Sequence, residues 1–358
     1  MTNRFRRWAL LGVVISVLLT LGHIYAQEVY PTHRVTGIAW NDEGSLLAMG
    51  NADGTVTVMN TITLEVWQLG SHQGAVHNLA WSSDNRRLAS VGASPDNSLR
   101  IWDVLTRRQT LQIASSGTDL YAVGWKPYSE YIWVIPIEGD GQVIEASTGT
   151  TLSTFDAGST SKILWDVPLN HAILADALGV VLLDVDGLTI TQVVNRATSI
   201  DGQAVSLAWN PETNRVASGT HIGTVYIWHK DTGELLFEQK GNEYSGSEYL
   251  IPFIVALRFS EDGSTLSSIS GDGTYRVWDV ATQTIIEDRR LPAPIYAADW
   301  SPDGTKLAYG GADGVLHIEP VVVNAPTPTP MPTIIAPPHG GDPVCPDGSG
   351  GVWTWIDG

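Results

Sequence analysis

An all-β chain, folded as a seven-bladed β-propeller of four-stranded antiparallel blades, is what the 358-residue sequence predicts. Three observations carry that prediction. A large aromatic recurs about every forty residues. Each recurrence opens the same succession of short strands and tight turns. No stretch between residues 30 and 320 has the periodicity of a long amphipathic helix.

The recurring aromatics are Trp40, Trp81, Trp125, Trp165, Trp209, Phe259 and Trp300, spaced by 41, 44, 40, 44, 50 and 41 residues. A turn such as SSDN, NPET, SEDG or SPDG follows, and then a strand of small residues: LLAMGN, RLASVG, RVASGT, TLSSIS, KLAYGG. Next come Asp53-Gly54, Asp96-Asn97, Asp140-Gly141, Asp272-Gly273 and Asp313-Gly314. Such dipeptides predict two-residue type I′ hairpins, in which both central residues take positive φ. A third strand ends in an aromatic–acid pair or its relic: Trp102-Asp103, Leu183-Asp184, Trp228-His229, Trp278-Asp279, Ile318-Glu319. Segments such as ELLFEQ and QTIIED supply the fourth strand. The units run 34–70, 71–113, 114–157, 158–198, 199–241, 242–290 and 291–320, the fourth without an Asp-Gly turn. One four-stranded unit cannot bury both of its faces, but a closed ring of them can. The recurring aromatics are therefore read as packing between blades. The seventh unit lacks its own fourth strand. Glu28-Val29-Tyr30 is the favoured closing strand, with Val321 to Val323 as the competitor.

With these residues in place the chain resembles the WD40 repeat family, in the form of a secreted or membrane-anchored bacterial-type propeller. The likeness covers about residues 32–320 and rests on SPDGTKLAYGGADG at 301–314, LRIWDV at 99–104 and YRVWDV at 275–280. The resemblance implies a buried hydrogen-bond network of His72, Ser90, Asp96 and Trp102 in the second unit, a structural set rather than a catalytic triad. Other units depart from the pattern, with Met59-Asn60, Ile144-Glu145 and Leu183-Asp184 where Trp-Asp is expected. Asp231-Thr232-Gly233 and Ser147-Thr148-Gly149 resemble quinoprotein turns, which makes that propeller the architectural runner-up.

The ends of the chain read differently. Arg4, Arg6 and Arg7 precede an apolar run from Ala9 to Gly22, and Ala26 suits the position before a signal-peptidase cut. Residues 1–26 are expected to be a signal peptide or an N-terminal signal anchor, which puts the propeller, 27–324, outside the cytoplasm. The membrane is then engaged only through that segment if it stays uncut. Residues 325–338 hold six prolines and read as a Pro/Thr-rich linker. Residues 339–358 form a Gly-rich tail, or the start of a further domain, and carry the sole cysteine, Cys345.

Composition narrows the function. Twenty basic residues against 38 acidic ones give a net charge of −18, which argues against nucleic-acid binding. No phosphate loop, nucleophile elbow or paired-histidine metal motif is present in the sequence. No cofactor, metal or catalytic residue is assigned. The expectation is a non-enzymatic, monomeric scaffold that binds a protein partner through loops on one propeller face. The alternative is an extracytoplasmic carbohydrate-binding or enzymatic propeller. The long connection from Lys240 to Pro252 supplies the candidate contact residues Glu243, Tyr244, Glu248 and Tyr249, because loops carry function and Tyr anchors at low entropic cost.

Overall fold

The computed structural model describes residues 14–20, 23–31, 34–115, 118–157, 162–176, 179–193, 202–240, 252–292 and 294–321, with backbone alone for 14–31, 176 and 190–193. Six antiparallel sheets of four consecutive strands span 35–71, 76–114, 120–155, 163–193, 204–239 and 254–290. We call them blades 1 to 6. Blade 7 joins Ile295–Trp300, Lys306–Gly311 and Val315–Pro320 to the N-terminal strand His23–Pro31, with Val14–Thr20 outside it. First strands touch first strands around the ring, so they line its centre.

The N-terminal strand therefore closes the ring. Glu28, Val29, Tyr30 and Pro31 pair with Ile318, His317, Leu316 and Val315. Val321 lies beyond the third strand and donates its N–H to the Thr305 carbonyl at 2.8 Å.

Each interface between blades holds one apolar cluster, and each cluster contains one of the recurring aromatics. Trp81 seals blades 1 and 2, and Trp125 seals blades 2 and 3. Trp165, Trp209 and Phe259 follow in turn. Trp300 packs between blades 6 and 7, and Trp40 packs between blades 7 and 1. Two indoles also stitch neighbours by hydrogen bonds: Trp81 Nε1 donates to the Ala39 carbonyl at 2.9 Å, and Trp40 Nε1 to the Asp299 carbonyl at 3.2 Å. Between blades 4 and 5 a buried Lys230 lies 3.3 Å from Asp166 and 2.8 Å from Asp231.

The Asp-Gly hairpins are not the type I′ turns that the dipeptide predicts. At Gly54, Gly273 and Gly314 only the glycine takes positive φ; the aspartate before it does not. Each of these glycines donates its N–H three residues back, to Asn51, Ser270 and Gly311. The loop is thus a turn followed by one left-handed residue, a three-residue connection. The aspartate serves through its carboxylate instead. Asp53 Oδ1 accepts from Thr55 N at 3.0 Å and from Thr55 Oγ1 at 2.7 Å, which is the local capping that favours Asp in turns. At Asp140-Gly141 the left-handed residue is Gly139, and Gly141 already lies in the third strand.

These turns yield a test. Gly54 has φ 86°, and a Cβ there would meet the His72 carbonyl oxygen at 2.3 Å. Gly54→Ala is expected to cost more than about 1 kcal/mol in urea unfolding. Asp53→Gly is expected to destabilise too, by about 0.5–1 kcal/mol; in a type I′ turn it would be neutral or stabilising.

Candidate functional site

The two families of loops sort onto opposite ends of the ring. The hairpin joining second and third strands donates a backbone N–H to the residue just before the first strand in the same blade. Examples are Ala52 to Arg34, Ala93 to Ala75, Ile137 to Asp119, His221 to Gln203, Gly271 to Phe253 and Ala312 to Pro294. The ends of the connections between blades and these hairpins therefore share one face.

At that face the first strand carries a register shift at its second residue in six blades. The bulged residues are Thr36, His77, Tyr121, Val205, Val255 and Tyr296, all half-buried. A bulge bends the strand and re-aims one side chain out of the ladder. Here the repetition brings six such side chains to the mouth of the central channel. Neighbours meet there: Thr36 Oγ1 donates to the Val76 carbonyl at 2.7 Å, and the His77 and Tyr121 rings are 5.6 Å apart, edge to face. The Arg34 guanidinium sits 4.2 Å over the Tyr296 ring. Asp119 accepts from Ser94 N at 2.9 Å. Burial lowers the His77 imidazole below its ordinary range, with the Asp119 charge working the other way. Burial raises the Tyr121 hydroxyl. The mouth is thus a mixed surface of aromatic rings with a cation and an anion close by, the composition that anchors protein contacts.

The bulge residues were not singled out from sequence, yet the signal was there. Each lies four residues before the recurring aromatic of its blade. Deeper along the first strand of blade 7, Asp299 Oδ2 accepts the Trp40 N–H at 3.0 Å and Oδ1 accepts the Trp300 N–H at 3.0 Å. Burial pushes this carboxyl up, against the pull of Lys162 and Arg258.

His72, Ser90, Asp96 and Trp102 are brought together in blade 2. The Trp102 indole donates to Ser90 Oγ at 2.8 Å, and Ser90 Oγ lies 2.7 Å from His72 Nε2. His72 Nδ1 bonds the Asp96 carboxylate. The donor order runs Trp to Ser to His to Asp, and it is complete with a neutral imidazole protonated at Nδ1. A second proton, on Nε2, would face a hydroxyl already accepting from the indole. Burial lowers His72 to about 4, with the Asp96 hydrogen bond and charge opposing. Burial alone would raise Asp96, but hydrogen bonds from Ser98, Arg100 and His72 hold it below the usual carboxylate range. Ser90 is fully buried, so it reaches no substrate as a nucleophile. Blades 5 and 6 keep only the end of this chain, Trp228 to Ser218 at 3.3 Å and Trp278 to Ser268 at 3.0 Å.

Glu243, Tyr244, Glu248 and Tyr249 lie outside the described residues. Beside their flanks, Lys240 and Pro252, is a small open pocket that also takes in Ser268, Asp272 and Trp278. These are the blade 6 counterparts of Ser90, Asp96 and Trp102; Asp272 is paired with Arg290 at 3.0 Å. Among the described residues no group of three or more His, Cys, Asp or Glu is arranged to hold a metal ion. Among them, too, no helix is long and apolar enough to cross a membrane.

A model of the anaphase-promoting complex subunit 4 WD40 domain matches residues 38–120. A model of the WD domain, G-beta repeat, matches 245–279 and 288–318. These matches support WD40 repeats in this chain. THO complex subunit 3 of Arabidopsis thaliana is 23% identical over 286 residues, covering 78% of this chain and 87% of that protein. Protein FIZZY-RELATED 1 of the same plant is 23% identical over 287 residues, 76% of this chain. WD repeat-containing protein slp1 of Schizosaccharomyces pombe is 27% identical over 215 residues, 53% of this chain. The matched regions make up half of FIZZY-RELATED 1 and 42% of slp1. All three relatives are eukaryotic, so they do not favour the bacterial type that the sequence suggests.

The buried tetrad predicts a pH dependence. Unfolded, His72 takes its proton near 6.5; folded, at about 4. Its contribution to stability is whole above pH 6.5 and drains away as pH falls through that window. His72→Ala is expected to cost about 3 kcal/mol at pH 7 and to flatten denaturation midpoints between pH 6.5 and 4. A wild-type steepness retained in the variant would assign that dependence to other groups.

Proposed function

We propose that this protein is an extracytoplasmic, non-enzymatic scaffold that binds a protein partner across the channel mouth. The observation that carries the reading is the ring of bulges. It presents Tyr121, Tyr296 and His77 half-exposed on strands held by the ladder, with the exposed Arg34, just before the first strand of blade 1, over the Tyr296 ring. Rigid aromatic anchors give contact area while losing little entropy on binding. The only His–Ser–Asp chain on the described part of the molecule is sealed inside blade 2, which leaves the mouth as a binding surface. The relatives are consistent with a protein partner, two of them being named for a complex subunit and for WD repeats. The extracytoplasmic setting rests on Arg4, Arg6, Arg7 and the apolar run that follows. We include Glu243, Tyr244, Glu248 and Tyr249, from the connection between blades 5 and 6, in the proposed contact.

Affinity capture from native cell-envelope extract tests the reading, with cross-linking to map the contact. The wild-type chain is expected to hold a protein that Tyr121→Ser with Tyr296→Ser loses at least tenfold, at unchanged thermal midpoint. A control, Leu105→Ser, alters an exposed residue in the turn between the third and fourth strands of blade 2, on the opposite face; it should keep the partner. Equal capture by all three would remove the mouth from the interface. Capture of a glycan in place of a protein would favour the carbohydrate-binding alternative.

A further inference from the structure

The register of blade 7 divides the N-terminal strand at one place. Residues from Glu28 to Pro31 pair with the blade. Residues from His23 to Gln27 pair only with Ser16 to Thr20, the other arm of their own hairpin. The boundary falls one residue past the Ala26–Gln27 bond, which the sequence alone marks as a signal-peptidase cut. The two boundaries, one from targeting chemistry and one from strand pairing with the blade, lie one residue apart.

Two further features agree. With both arms of the hairpin, blade 7 has five strands, whereas the other six have four. The outermost strand, Val14–Thr20, reads VISVLLT, with no charge and no proline. A strand of that composition at a sheet edge, without gatekeeping charge, is a template for aggregation. Removing residues 1–26 would restore four strands and eliminate that edge, while every residue paired with Val315–Ile318 stays.

We propose that the Ala26–Gln27 peptide bond is a processing site for a membrane-bound signal-peptidase-type endopeptidase, and that the strand beginning at Gln27 is the fourth strand of blade 7 in the mature protein. Water adds across the bond, leaving a carboxylate on Ala26 and an amine on Gln27. The cut comes before the hairpin forms, because in the hairpin Ala26 and Gln27 are ladder partners of Val17 and Ser16. One segment therefore has two successive uses, its first part in export and its last residues in ring closure. The proposal rests on the export reading given above, not on the identity of the partner.

The test uses the full chain, expressed in a bacterium with Sec export. Intact-mass measurement of the extracytoplasmic protein should give a chain starting at Gln27, or the same chain less ammonia where the terminal Gln has cyclised. Ala26→Phe puts a bulky residue where the peptidase needs a small one; it should leave the chain uncut and in the membrane pellet. Deleting residues 28–31 from the full chain should lower the thermal midpoint by several degrees. Three results would overturn the proposal: a mature terminus beyond Pro31, a soluble uncut chain with residues 14–26 protected from hydrogen exchange, or an unchanged midpoint in the deletion. An uncut chain that still captures its partner through Tyr121 and Tyr296 would overturn the processing and leave the interaction standing.

Discussion

The contact on which the rest of the molecule depends is the aromatic at the end of each first strand, set between that blade and the one before it. A four-stranded sheet of this size has two apolar faces, and among the described residues no helix covers either. Each face is buried only by the next blade. Seven such interfaces, each with its Trp or Phe, make the ring a chain of nearest-neighbour contacts whose last link joins blade 7 to blade 1. At that link the apolar packing of Trp40 is reinforced by Asp299, which bonds the Trp40 N–H, and by the pairing of Glu28 to Pro31 with the third strand of blade 7. Closure therefore couples the two ends of a domain of about three hundred residues.

Stability is unevenly distributed over these interfaces. Blade 2 has a complete hydrogen-bonded chain from Trp102 to Asp96, with Arg100 adding a 2.9 Å ion pair to the same carboxylate. Blades 5 and 6 retain the indole–serine bond alone. Blade 7 substitutes a different pair, with His317 Nε2 at 2.7 Å from Asp313 and its ring stacked on Tyr309. A satisfied buried network rigidifies its surroundings. Among the described residues, blade 2 thus holds the most complete buried network.

Much of this architecture was legible in the sequence because its signals are local and repeated. The spacing of Trp40, Trp81, Trp125, Trp165, Trp209, Phe259 and Trp300 gave the blade count, whereas His72, Ser90, Asp96 and Trp102 were named only through the family resemblance. The turn geometry was misread for a physical reason. Asp-Gly is compatible both with a two-residue turn and with a three-residue loop whose last residue is left-handed, and the choice depends on where strand pairing stops. That is a property of two strands together, invisible in the dipeptide. The bulges escaped for a related reason: a bulge is defined by the partner strand's register, and Thr36, Val205 and Val255 look like ordinary strand residues.

The same register argument bears on where recognition falls. A long connection such as 241–251 invites attention because it breaks the repeat, but length alone confers no fixed presentation. A bulge does, since its backbone is held by the ladder on both sides while its side chain leaves the sheet. Six blades repeat that device at one height, so the variety of side chains placed there, two tyrosines, a histidine, a threonine and two valines, is set on a common frame. The frame depends on ring closure, and ring closure depends on Glu28 to Pro31. The proposed recognition at the mouth is thereby linked to the N-terminal strand: a chain without those four residues keeps Trp40 and Asp299 at the contact between blades 7 and 1 but loses the pairing that reinforces it, beside Arg34 and Tyr296.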